Sequence, residues 1–168
     1  MKTWEKYKHW SDRFIPAIKR ILGEHLITVA PVKEDAERNT DLIVLKLNAV
    51  RIACRIRKFQ YFAYHGHEFT IRSSVVSRNK TELAKICEGW GDYFFYGFAN
   101  KTETKLHYWI LGDLEALRHH INQCRNQNQI PWATSKNNTD YLSSFVVFRY
   151  NDIPNFLIAQ SNISNNET

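Results

Sequence analysis

NTDLIVLKLNAVRIACRIRKFQYFAYHGHEFTIR, residues 39–72, is the stretch on which the fold turns. It holds one early carboxylate, Asp41, and no further Asp or Glu until Glu68. Residues 42–47 are almost wholly apolar, which predicts a strand covered on both faces. Residues 50–57 then alternate, with Val50, Ile52, Cys54 and Ile56 in one row and Arg51, Ala53, Arg55 and Arg57 in the other. Alternate side chains of a strand share a face, so Arg55 and Arg57 are expected to project together, opposite the apolar row. Asn48 and Ala49 are the expected tight turn between the two strands.

On the N-terminal side, Trp4, Tyr7, Phe14, Ile18 and Ile21 recur at helical spacings and predict an amphipathic helix over 4–22. Pro16 should break or kink it near Ile15, and Gly23 should cap it. A short strand is expected over 25–30, followed by a charged connector over 33–40. On the C-terminal side, 58–67 is aromatic and basic, and 68–73 reads as a strand. Thr81 is placed to cap a helix over 82–90, with Trp90 as a core anchor and Gly89 and Gly91 ending the helix. Strands over 93–99 and 106–111 are expected to form a hairpin. Asp113 then caps a helix that turns Leu114, Leu117, Ile121 and Cys124 inward. A polar loop over 125–142 leads to a last strand over 143–150, and 161–168 reads as a frayed tail. The order predicts a mixed α/β fold: a single domain over 1–160 with one sheet flanked by helices.

At 168 residues, with 43% hydrophobic and 14% aromatic content, the chain can bury one sizeable core and does not resemble a disordered segment. Cys54, Cys87 and Cys124 lie far apart and match no metal-binding spacing, so they are expected to be reduced and buried, as in a cytosolic protein. No run approaches the roughly 18 apolar residues of a membrane span, so no membrane association is expected. The net charge of +6 favours a polyanionic partner.

Asp41 at the head of one strand, followed by a polar pair two residues apart on the next, resembles the PD-(D/E)XK, or restriction-endonuclease-like, family. The resemblance covers residues 4 to about 99, and the stretch TELAKICEGWGDYFFYGF (81–98) also looks like segments of uncharacterised phage proteins. It implies a Mg²⁺-dependent phosphodiesterase acting on DNA, of phage or mobile-element type. By this resemblance Asp41 is the acid of the second strand, and Glu37 matches the acid that some members supply from a preceding segment. The slots for the second acid and the lysine fall on Arg55 and Arg57. Arg57 could stabilise charge, but an arginine does not give up its proton to act as a base. Arg55 cannot replace a carboxylate. The missing acid could come from Glu68 or Glu82, with Lys85 one helical turn after Glu82 as the cation. This gives Glu37, Asp41 and Glu68 as metal ligands and Asp41, Arg57 and Lys85 as catalytic residues. The other reading of Asp41 is an ion pair with Arg55 or Arg57 that stiffens the sheet.

Arg51, Arg55, Arg57, Lys58 and Arg72, interleaved with Tyr61, Tyr64, His65 and His67, form a second constellation. Arginines grip phosphates and exposed aromatics stack on unpaired bases, so these residues are expected to bind nucleic acid, DNA ahead of RNA. Phe59 and Phe62 are expected in the core instead. His65-Gly66-His67 supplies two imidazoles and no third ligand of clear spacing, so a plain loop is expected there. The competing class is a protein-interaction module or inhibitor that keeps a nuclease-like fold without its metal site.

Overall fold

The structure is a computed structural model that describes residues 3–29, 42–44, 50–76, 80–138 and 142–162. It divides into two compact units, Met1–Val50 and Arg51–Thr168. The first holds helices α1 (Thr3–Asp12) and α2 (Ile15–Leu26) and strands β1 (Ile27–Val29) and β2 (Leu42–Val44), which pair antiparallel. The single helix expected over 4–22 is therefore two. Proline is tolerated in a first turn, where its missing N–H has no helical partner to lose, and Pro16 is the second residue of α2. Gly23 lies inside α2 and does not cap it.

The second unit carries the larger core. Its elements are β3 (Ile52–Arg57), a 3₁₀ turn (Phe59–Tyr61), α3 (Phe62–His65), β4 (Glu68–Val75), α4 (Glu82–Cys87) and β5 (Tyr93–Ala99). They continue with β6 (Leu106–Asp113), α5 (Leu114–Asn126), β7 (Thr134–Asn137), β8 (Ser143–Arg149), a 3₁₀ turn (Tyr150–Asp152) and β9 (Leu157–Gln160). A four-stranded mixed sheet has the order β3-β5-β6-β9, and a three-stranded antiparallel sheet the order β4-β8-β7. The chain is α/β, as its pattern of elements implies.

The hairpin expected between 42–47 and 50–57 is not what the described residues form. β2 pairs with β1, while β3 runs parallel to β5, with Cys54 opposite Phe95 and Arg55 opposite Tyr96. A parallel pair needs a long crossover, here everything from Lys58 to Asp92, and no local turn signal announces it. β5 and β6 do form the expected hairpin.

Phe69, Ile71, Val146 and Phe148 of one sheet and Phe94, Tyr96, Phe98, Tyr108 and Ile110 of the other share one core, with Leu83 and Ile86 of α4 and Leu114, Leu117 and Ile121 of α5. Phe69 stacks on Phe156 at 4.8 Å between ring centroids. Gly112 makes that core possible, because a Cβ there would stand 2.1 Å from Phe156 Cζ. The caps are as expected: Thr81 Oγ1 accepts from Ala84 N at 3.1 Å, and Asp113 Oδ1 accepts from Glu115 N at 2.7 Å and Ala116 N at 3.2 Å.

The register puts the basic row of β3 beside the main core, while Ile56 of the apolar row is also buried, on the opposite face. Ala53, Arg55 and Arg57 lie beside Phe94, Tyr96 and Phe98, the core-facing residues of β5. Ala53 packs against the core, whereas Cys54 of the apolar row is exposed. Trp90, expected inside, is 61% exposed. Gly89 (φ 92°) and Gly91 (φ 82°) flank it in left-handed conformations that turn the chain out of α4. All three cysteines are free, with Cys87 and Cys124 half-buried.

Candidate nucleic-acid interface

Arg55 sits at the inner side of an edge strand, where a cation needs partners. Its Nη2 meets Glu82 Oε2 at 2.5 Å, and its Nη1 donates to Thr70 O at 3.1 Å. The two side chains retain only 23% and 26% exposure, so much of their hydration is replaced by this contact. Glu82 Oε2 also accepts from Arg72 N at 3.1 Å, which ties α4 to β4. Thr70 Oγ1 and the Tyr96 hydroxyl lie 3.3 Å apart behind the pair. Arg55 and Glu82 therefore form a closed cation–carboxylate pair.

Glu68, at the other end of β4, has its own partners. Its Oε2 lies 2.8 Å from His65 Nδ1, and Arg149 Nε is 3.7 Å from its Oε1. Glu68 and Arg72 are four residues apart on a regular stretch of strand, about 13 Å. Glu82, bonded at Arg72, and Glu68 therefore do not converge on one ion that demands oxygens at about 2.1 Å. Glu37 and Asp41, the other expected ligands, lie outside the described residues, as does any ion pair from Asp41. Among the described residues, no group of three or more His, Cys, Asp or Glu is placed to hold a metal ion. The described carboxylates thus do not fit a Mg²⁺ site. Lys85, the expected catalytic cation, is exposed in the last turn of α4.

His67 belongs to a different arrangement. Its Nδ1 lies 3.0 Å from the Tyr150 hydroxyl, which is 3.0 Å from the Tyr108 hydroxyl, which donates to Gln160 Oε1 at 2.8 Å. Each hydroxyl has one proton, so Tyr150 donates to Tyr108 and His67 donates Nδ1–H to Tyr150. Burial first, then the hydrogen bond and charge of Tyr150, holds the Tyr108 phenol well above the ordinary tyrosine range.

The basic and aromatic residues after β3 come together. Phe59 and Phe62 turn inward, with Phe62 5.4 Å from Phe98 and both rings against His107 at 4.9 and 4.7 Å. The same helical register turns Tyr61 and Tyr64 outward, and at three residues apart they stand one above the other. Tyr64 is 83% exposed. The Arg57 guanidinium covers one face of Tyr61 at 4.8 Å, and Lys101 lies 5.5 Å over Phe59. Lys58 pairs with Glu103 at 3.3 Å. A guanidinium over a ring face steadies the ring through its charge and leaves N–H groups for other partners. Arg51 lies at the opposite end of β3, and Arg72 is exposed on β4. The five basic residues expected to act together thus separate into an Arg57–Lys58 patch beside the tyrosines, the paired Arg55, and Arg51 and Arg72 elsewhere.

The outward tyrosines were legible as the positions that alternate with Phe59 and Phe62. The Arg55–Glu82 pair was not, because its partners are 27 residues apart. No helix among the described residues is long and apolar enough to cross a membrane. No family model matches the chain, and no curated protein or solved structure is significantly similar to it.

Proposed function

We propose that this chain binds single-stranded nucleic acid, DNA in the first instance, through the patch that follows β3. The observation that carries the reading is the outward pair Tyr61 and Tyr64, with the Arg57 guanidinium laid on Tyr61. Every base has a π face, so exposed tyrosines accept unpaired bases with little regard to sequence, and neighbouring cations accept the phosphates. A paired duplex hides those faces. The net charge of +6 favours the same partner at long range.

Binding is favoured over metal-dependent cleavage because Glu82, a candidate acid, is locked to Arg55, and among the described residues no group of carboxylates is placed to hold a metal ion. Fluorescence anisotropy with a labelled 12-mer, single-stranded and duplex, tests the reading. The single strand should bind more tightly, and Tyr64→Ala should weaken it by about 1–3 kcal/mol while leaving the fold intact. Equal affinity for the duplex, or no effect of Tyr64→Ala, would count against it. Incubation of supercoiled DNA with Mg²⁺ or Mn²⁺ should leave it uncut. Nicking abolished by Asp41→Ala would make the chain an active nuclease instead.

A second reading, a protein-interaction module or inhibitor on the same fold, is favoured by one feature. Val76 and Leu142, joined by a Val76 N to Leu142 O bond of 3.0 Å, are 76% and 59% exposed side by side.

A further inference from the structure

We propose that the turn around Trp90 is a second stacking contact for the same nucleic-acid strand, an inference that rests on the single-strand reading above. Trp90 is 61% exposed, an uncommon place for a large ring whose burial would be favourable. The turn that presents it is firmly built. Trp90 N donates to Lys85 O at 3.0 Å, and the left-handed Gly89 and Gly91 fix the chain on either side.

Three basic residues from separate elements adjoin this turn, two of them through their backbone and Arg118 through its guanidinium. Arg118 of α5 donates from Nη1 to Gly91 O at 3.2 Å, next to Trp90 in the chain. The backbone of Arg51, whose side chain is exposed, is clasped to Asp92 in both directions, with Arg51 N donating to Asp92 Oδ2 at 2.8 Å and Asp92 N to Arg51 O at 2.8 Å. Lys85 lies one turn back on α4. An exposed aromatic ring on a turn flanked by basic residues suits an unpaired base and its phosphates, as the Tyr61–Tyr64 patch does.

The two contacts stand at opposite ends of one rigid ruler. Arg51 and Arg57 bracket β3, which lies at an edge of its sheet among the described residues, and six residues of strand span about 20 Å. That is the length of roughly six nucleotides at the ~3.4 Å rise of a stacked strand. A strand that reaches both ends gains the second contact as an intramolecular event, without the loss of freedom that a separate ligand would suffer.

Titration of fluorescein-labelled oligothymidylate 12-mer into the wild-type chain and the Trp90→Ala, Trp90→Phe and Tyr64→Ala variants tests this. Trp90→Ala is expected to weaken binding on the order of 10- to 100-fold, the range of one lost base stack. Trp90→Phe should bind within a few-fold of wild type, roughly as its retained ring predicts. The quenching of tryptophan fluorescence by unlabelled 12-mer should shrink in Trp90→Phe. Wild-type affinity in Trp90→Ala, with Tyr64→Ala still weakened, would overturn the second contact and leave the first standing. No binding of the 12-mer by the wild-type chain would overturn both. Trp90 is exposed, so neither substitution removes a core side chain.

Discussion

Arg55 shows how a cation is kept on the core side of a strand. It is tolerated beside Tyr96 because Glu82 supplies a counter-charge and Thr70 O takes a second N–H. Removing one partner leaves the other poorly solvated, which costs more than the intact pair contributes. Glu82→Gln is therefore expected to lower stability by about 1–3 kcal/mol, discounted from a fully buried pair because a quarter of each side chain meets water. Urea unfolding measures it, and an unchanged midpoint would show the contact to be idle. Tyr108 gives a pH prediction. Its folded pKa is raised above the unfolded value of about 10, so the folded state holds the phenol proton longer than the unfolded chain does. That stability is fully present below pH about 10 and is lost as pH rises beyond it toward the folded pKa. Thermal unfolding between pH 9 and 11 should show a fall in Tm that is shallower in Tyr108→Phe. At this scale the sequence revealed which residues were basic or aromatic, and the i, i+3 spacing of Tyr61 and Tyr64. It did not reveal that Arg55 faces inward, because alternation names two rows without saying which row meets the core, and Ala53 is small enough to belong to either.

Elements defined by local chemistry were readable and those defined by distant partners were not. Asp113 and Thr81 cap their helices because a short polar side chain before an apolar stripe satisfies orphan N–H groups wherever the helix later docks. The β5–β6 hairpin followed from two apolar runs with a polar turn between them. β7 (Thr134–Asn137) lies in what reads as a loop, since all four of its residues are exposed and nothing in TSKN alternates. β9 is four residues long and pairs with β6 near its far end, again without a turn to announce it. The parallel β3–β5 pair is the largest departure, and its cause is the crossover that separates the strands. The β6–β9 region also carries a sharp packing constraint. Gly112→Ala would drive a methyl into the buried Phe156 ring, 2.1 Å from Cζ, and is expected to cost about 1–3 kcal/mol or more. Calorimetry should show the loss as a clear drop in Tm, and wild-type stability would mean that Phe156 can move aside at little cost.

At the scale of the whole molecule, the α/β class and the net basic charge were evident in the sequence, while the placing of the cations was not. The folded chain divides its cations among different tasks. Arg55 is internal structure, Arg57 lies over Tyr61, Lys58 pairs with Glu103, and the backbone of Arg51 is bonded to Asp92, two residues after the exposed Trp90. The proposed binding therefore centres on the end of β3. The most direct measurement is the salt dependence of single-stranded 12-mer affinity in wild type and Arg57→Gln. Counterion release predicts a linear fall of log K with log salt, with a slope reduced by about 0.7 when one phosphate contact is removed. A steep wild-type slope that flattens by that amount in Arg57→Gln is the predicted result. An affinity that does not respond to salt, or a slope that Arg57→Gln leaves unchanged, would contradict the assignment of this patch.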